Sequence, residues 1–275
     1  MAIAKVSKDR LLYTETENEL WLADAHDTQI GLNLFVSKRA FDFEKLSLAK
    51  EVVSANGLPA PDTIIDIGAH IGTISIPAIK RHYFKYGIAF EPDPRNFQLL
   101  ELNIVLNELE NQFETHNIAL TNYGVESVEF EISDSRQGDH RVHTTNEAGN
   151  YDEKSRKVIK VPAKPLDDFS SNLRGIPLLW MDTQGYEAVI LEGASRILES
   201  TPVLVIEFWP YAMKRMETFP RLIKVLSNSK YSHFVDLGGK YPDLVELSVR
   251  ELEKKYIEVS EDGRYTDLLI LRIDK

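Results

Sequence analysis

The residues equipped for chemistry sit at the ends of apolar runs. Asp66 stands near the end of "TIIDIG" (63–68), and Glu91 follows the apolar part of "GIAFEPDP" (87–94). Between them Gly68 and Gly72 form a turn with the spacing G-x-x-x-G. A buried strand, a glycine turn and a helix start make a ligand cradle, because glycine lets a ligand approach the backbone and a helix begins with unused N–H groups. A dinucleotide turn has the spacing G-x-G-x-x-G, from which this one departs. Asp66, two residues before the first glycine, repels a pyrophosphate and suits an ammonium or sulfonium group. An acid at the position of Glu91 accepts both hydroxyls of a ribose, whichever nucleotide is bound. The ordered set "DIGAHIG … FEPDP" therefore reads as a site for S-adenosylmethionine. An NAD-dependent oxidoreductase is the alternative, disfavoured by Asp66 and by the glycine spacing.

Each neighbour then has an expected place. Asp66 and Glu91 hold the cofactor, Glu91 through the ribose. Backbone at Gly68, Ala69, His70, Gly72 and Thr73 lines the methionine part. Pro92, Asp93 and Asn96 lie beside the ribose and adenine, and Asn117 and Ala119, at the end of the run "FETHNIAL", neighbour the adenine. Methyl transfer is an in-line displacement, so the protein must place a nucleophile and, for a hydroxyl, remove its proton. Asp182, ending "PLLWMD", is the leading catalytic candidate, as general base, hydroxyl acceptor or metal ligand. A cap on the helix starting near Gly185 is its structural alternative. Glu207 in "VIEF" ends the next run. These two acids are the possible ligands of a Mg²⁺ ion, but two acids are not a ligand set, so no metal is assigned.

The elements that must position these groups alternate. Apolar runs and amphipathic stretches follow one another from Asp62 onward, which predicts an α/β, Rossmann-like, doubly wound and mostly parallel sheet. Residues 62–275 read as that domain. Residues 1–61, with a hairpin in "LLYTETENELWLAD" and a helix ending at Asn56-Gly57, read as a small N-terminal cap or lid. The stretch "DSRQGDHRVHTTNEAGNYDEKSRK" reads as a long polar loop, with His143 solvated.

Composition excludes several classes. The 275 residues contain no cysteine, so disulfides, thiolate metal sites and cysteine nucleophiles are absent, and a reducing cytoplasm fits. A net charge of −11 argues against a nucleic-acid surface and against docking on anionic membranes. No apolar run reaches membrane-spanning length, and the opening "MAIAKVSKDRLLYTE" has no leader pattern.

"TIIDIGAHIGTISIPA", "IAFEPDPRNFQLLELNIVLN", "THNIALTNYG", "PLDDF", "LLWMDTQGYEAVILEGASRILES" and "PVLVIEF" together resemble the FkbM family of class I methyltransferases, over roughly Ala40 to Trp209. The resemblance implies a seven-stranded sheet with an antiparallel last strand. It also implies S-adenosylmethionine as methyl donor and O-methylation of a hydroxyl on a small molecule such as a sugar or polyketide-like product. It places a G-x-x-R segment, here Gly138 to Arg141, over the active site, which makes His140 a third catalytic candidate. The chain departs from the family pattern at His70, often asparagine there. It departs again at "WMDTQG", where the family often has "KIDVEG", so that Thr183 replaces valine and Gln184 replaces glutamate. The altered segment keeps open a cofactor-binding protein without catalysis. A protein or nucleic-acid methyltransferase is the remaining alternative.

Overall fold

The computed structural model describes residues 11–134, 136–239, 244–262 and 264–273. Residues 1–10, on which the reading of no leader rests, and Ser135 in the long polar loop lie outside the described residues. In chain order the elements are β1 (Leu11–Glu15), β2 (Leu20–Asp24), α1 (Ile30–Ser37), α2 (Phe43–Ala55), β3 (Thr63–Ile67), α3 (Ser75–Lys80), β4 (Tyr86–Phe90), α4 (Pro94–Leu106), β5 (Phe113–His116), β6 (Ala119–Thr121), β7 (Ser127–Ile132), β8 (Arg141–Val142), β9 (Lys157–Pro165), β10 (Pro177–Met181), α5 (Glu187–Glu192), α6 (Ser195–Ser200), β11 (Val203–Phe208), α7 (Pro210–Arg215), α8 (Phe219–Ser227), β12 (His233–Asp236), β13 (Val245–Leu247), α9 (Val249–Asp262) and β14 (Thr266–Leu271). This alternation is α/β and Rossmann-like. Among the described residues no helix is long and apolar enough to cross a membrane.

The chain forms two compact units. The first gathers Met1–Phe43, Ile64–Ala119 and Ser127–Pro162. In it β3 lies beside β4, and β4 pairs parallel with β5 from Gly87↔Phe113 to Phe90↔His116. Every residue of β3 is buried, as a strand covered on both faces requires. Asp93 caps α4 by accepting from the N–H groups of Arg95 and Asn96, with Pro94 at the first helical position. The β1–β2 hairpin is held to α4 through main-chain groups. Asn103 Oδ1 accepts from Leu22 N at 2.7 Å while its Nδ2 donates to Leu22 O at 3.1 Å. Asn107 repeats this on Leu20, at 3.0 and 2.8 Å. Buried Glu19 receives a two-pronged bond from Arg81 at 2.6 and 3.0 Å.

The long polar stretch remains mostly loop, with one two-residue strand, β8, but part of its charge is buried against the sheet formed by β7 and β9. β7 pairs with β8 and with β9. Arg141, 1% exposed, lies 2.7 Å from Asp139 and 3.1 Å from Glu131. Arg156 bonds Asp139 through a side-chain contact and through the Asp139 carbonyl at 2.7 Å. His143 Nδ1 sits 3.1 Å from Glu131 Oε2, so it belongs to this network rather than to solvent. Charges recruited from residues 131 to 156 neutralise one another, which a local reading of polar composition does not register.

The second unit gathers Glu44–Thr63, Leu120–Glu126 and Ala163–Lys275. β10 and β11 are parallel, β14 runs antiparallel to both β11 and β12, and β13 pairs antiparallel with β12. The final strand is thus antiparallel, and β13 is a strand that the sequence reading did not include. "GYEAVILEGASRILES" forms two short helices, α5 and α6. Gly193 follows α5, and only glycine fits there, because a Cβ would stand 2.2 Å from the Thr121 carbonyl oxygen. Residues 187–191 of α5 are all buried, so this helix has no polar face. "PLDDF" also has a structural explanation: Asp167, 1% exposed, accepts from the N–H groups of Arg196 and Ile197 at 2.9 Å each and caps α6.

Candidate functional site

In the first unit, the turn after β3 is built as a closed main-chain unit. Gly68 N and Ala69 N both donate to Phe90 O at 3.0 Å, and Gly72 N donates to Ala69 O at 2.7 Å. His70 N donates to Glu91 Oε2 at 2.8 Å. These four N–H groups are therefore spent inside the protein, and α3 starts only at Ser75 with no side-chain cap. The turn is not the anion cradle that a phosphate needs. Gly68 and Gly72 both have positive φ, +82° and +92°. A Cβ on Gly72 would stand 2.5 Å from Ile76 Cδ1 and 2.9 Å from Leu100 Cδ1, so helix packing also requires glycine here. His70 has φ +52°, a conformation that histidine and asparagine accept more readily than most residues.

What the turn offers a ligand is side chains. Asp66 Oδ2, both ring nitrogens of His70, and Asn96 Oδ1 are buried without a hydrogen-bond partner. Buried polar atoms left unpaired are uncommon and mark a site where something else binds. Burial pushes the Asp66 carboxyl up to about 6. Burial, with the Asp93 charge second, pushes Glu91 up to about 8. Burial holds the His70 imidazole down to about 4, against the pull of Asp27. Two carboxyl groups reluctant to ionise favour a cationic partner, whose charge stabilises the carboxylate forms.

The remaining first-unit candidates have definite places. Glu91 Oε1 accepts from Asp93 N at 2.8 Å, so each Glu91 oxygen already holds one backbone N–H and keeps a lone pair for a ligand. Asn117 Nδ2 donates to the carbonyls of Glu91 and Pro92 at 2.8 and 3.1 Å; it positions this segment. Pro92 is half-buried and Thr73 is buried. Ala119 begins β6, not the end of β5, because "FETHNIAL" divides at Asn117-Ile118 into two strands. His140 Nε2 lies 3.1 Å from the Ser133 carbonyl, which can only accept, so Nε2 carries the proton. Its other nitrogen faces Asn96 Nδ2 at 3.5 Å and Asp93 Oδ2 at 3.6 Å. His140 thus joins the residues assigned to the nucleotide, and burial lowers its basicity.

In the second unit, Asp182 and Glu207 are brought together by a residue the sequence reading treated only as a departure. Gln184 Nε2 donates to Asp182 Oδ1 at 2.6 Å and to Glu207 Oε2 at 3.0 Å. The amide thus bonds both acids at once, and the two carboxyl groups also act on each other directly. Among the described residues no group of three or more acidic or histidine side chains is arranged for a metal ion. The Mg²⁺ possibility has no support here. Asp182 is exposed, while Glu207 is buried and pushed well above the usual carboxyl range, by burial first and then by Asp182 and Glu187. The turn is held by Glu187, whose Oε1 accepts from Thr183 N at 3.0 Å, Thr183 Oγ1 at 2.9 Å and Gly185 N at 3.2 Å.

Residues 66–233 match the methyltransferase FkbM domain. That is more than half of the chain, and the chain belongs to this family of methyltransferases. Among solved structures, the chain is similar to a methyltransferase FkbM from Methylobacillus flagellatus KT, with 17% identity and a TM-score of 0.44, over 77% of this chain and 44% of that one. It therefore spans less than half the length of that protein. It is similar to TYW2 of P. horikoshii in complex with MeSAdo, with 13% identity and a TM-score of 0.42, over 98% and 74% of the two chains. It is also similar to aTrm5 in its complex with tRNALeu, with 13% identity and a TM-score of 0.43, over 97% and 53%. No curated protein matches the chain.

Proposed function

We propose that this protein is an S-adenosylmethionine-dependent methyltransferase that modifies a hydroxyl group on a small molecule. The observation that carries the cofactor is the turn at Gly68–Gly72. Its N–H groups are spent, while Asp66 Oδ2 and the His70 nitrogens are buried without a full hydrogen bond, Asp66 answered only by Ser75 and His70 Nε2 lying 3.9 Å from Asp27 Oδ2. That donor set fits a cationic amino-acid sulfonium and not a pyrophosphate.

When bound, the cofactor supplies a methyl group on a positively charged sulfur. In this reading Asp66 and Glu91 attract that charge and the ribose. His70 and Asn96 supply hydrogen bonds, and Asn117 keeps the Glu91–Pro92 backbone in place. His140 keeps Asp93 and Asn96 oriented rather than acting as base. Asp182, the exposed member of its pair, takes the proton of the acceptor hydroxyl. Glu207, carried as the neutral acid, leaves Asp182 the only negative charge of the two. Residues 1–61 act as a cap, and a cytoplasmic setting fits the lack of cysteine. The net charge of −11 favours a small acceptor over RNA.

The test is calorimetric titration with S-adenosylmethionine and separately with NAD⁺, followed by methyl-transfer assays on hydroxylated small molecules and on tRNA. Saturable binding of S-adenosylmethionine alone is expected. NAD⁺ binding without it removes the cofactor assignment, and transfer to tRNA alone removes the small-molecule acceptor.

A further inference from the structure

We propose that the second unit carries a separate binding site for an aliphatic monoanion, a hydrocarbon chain ended by a carboxylate, in the cavity between α5, α6 and α8. This inference does not depend on the methyl-transfer reading. The cavity measures about 490 Å³, within the range of small-molecule sites. Leu191 and Tyr231 are its buried apolar walls, and Leu198 and Val225 complete them. The Tyr231 hydroxyl donates to Thr201 O at 2.8 Å, so it makes no polar demand on an occupant.

Charge at the cavity is unbalanced toward the positive. Lys224, Lys230 and Arg272 line it, together with Glu192 and Glu199. Glu192 is already answered by Arg221, through a 3.0 Å bond from Nε and a second bond from Nη2. Arg272 Nη1 donates to the carbonyls of Leu198 and Glu199 at 3.1 and 2.9 Å, which fixes the guanidinium at the cavity. Three cations thus face one acid without an arginine fork. Apolar walls with a cationic edge match a chain with one terminal charge.

The cavity is distinct from the Asp182–Glu207 pair. Arg272 N donates to Pro202 O at 2.9 Å, at the start of β11, whereas Glu207 lies opposite Asp267 near the strand's other end. Val203 and Glu207 are about 13 Å apart at the usual rise of an extended strand.

The test uses calorimetry on the full chain with sodium octanoate, 1-octanol and sodium phosphate as probes. Octanoate is expected to saturate at one site per chain, with octanol about tenfold weaker or worse and phosphate not saturating. Val225→Trp should fill the cavity and abolish octanoate binding. Lys230→Glu changes only an exposed side chain, so it tests the charge even if the tryptophan variant misfolds; it should weaken octanoate about tenfold. The proposal is overturned if octanoate does not saturate, if octanol or phosphate binds as well as octanoate, or if the correctly folded variants bind octanoate like the parent.

Discussion

Glu91 Oε2 accepts the backbone N–H of His70 at 2.8 Å, so the acid at the end of β4 fixes the turn at the end of β3. The carboxylate assigned to a ribose is thereby also a structural clamp. Glu91→Gln keeps one acceptor oxygen and replaces the other by a donor. Cofactor binding should weaken by about 1–3 kcal/mol, the cost of leaving a buried donor unpaired. Calorimetry on the folded variant checks this; unchanged affinity removes Glu91 from the site.

Proton linkage separates a sulfonium from its neutral thioether product. With Asp66 pushed up to about 6 and Glu91 up to about 8, a bound positive charge should draw both toward their ionised forms and release protons. Affinity for S-adenosylmethionine should rise with pH between about 6 and 8, more steeply than affinity for S-adenosylhomocysteine. Titration in buffers of different ionisation enthalpy counts the protons, and equal slopes for the two ligands contradict the assignment.

The same groups set the stability of the ligand-free protein. Glu91 has a folded pKa of about 8 against an ordinary 4.5, so the native state holds the extra proton. The stability this contributes is present below pH 4.5 and is lost as pH rises through 8. His70 acts oppositely: its folded value of about 4 lies below the ordinary 6.5, so its contribution is present above pH 6.5 and is lost as pH falls through 4. Denaturant midpoints measured across this range should show a weaker alkaline decline in Glu91→Gln than in the parent.

Gln184 stands between two carboxyl groups, so its exchange for the isosteric acid is informative. Gln184→Glu removes both donated bonds and adds a third acid, which should destabilise the fold by about 1–3 kcal/mol. Added Mg²⁺ should recover stability in this variant and not in the parent. A Mg²⁺ response in the parent would contradict the amide's role as the bridge.

Asp167→Ala should cost about 1–2 kcal/mol by uncapping α6, without changing cofactor affinity. The bonds it accepts hold the Asp167 carboxyl below its ordinary 3.8 despite its burial, so its contribution is lost only as pH falls below that value. Thermal unfolding at neutral and acid pH reads both effects.

Much of the structure around the turn that our reading assigns to the cofactor was legible because its signals are local. The run "TIIDI" is apolar throughout and becomes the fully buried β3; Asp66 and Glu91 fall in the first unit's turn region as strand-end acids. Asp182 and Glu207 were also legible as strand-end acids, but the amide between them was not, since Gln184 reaches Glu207 across 23 positions. Asn103 and Asn107 were missed as clamps, although two asparagines four apart in "ELNIVLNEL" were a readable signal. The buried Arg141–Arg156 network was hidden because its polar residues look solvated until the sheet assembles around them. The need for glycine at 193 depends on the Thr121 carbonyl, which no helical periodicity reports.

The two asparagines of α4 grip β2 only by its main chain, at Leu20 and Leu22. These bonds are therefore independent of which side chains those two positions carry. Asn103 adds a further bond, from Nδ2 to Ile71 O at 3.1 Å in the glycine turn. One small amide thus ties the hairpin's main chain to the glycine turn. A displacement of the hairpin backbone, whatever side chains it carries, has a direct mechanical route to the turn that holds the cofactor in our reading.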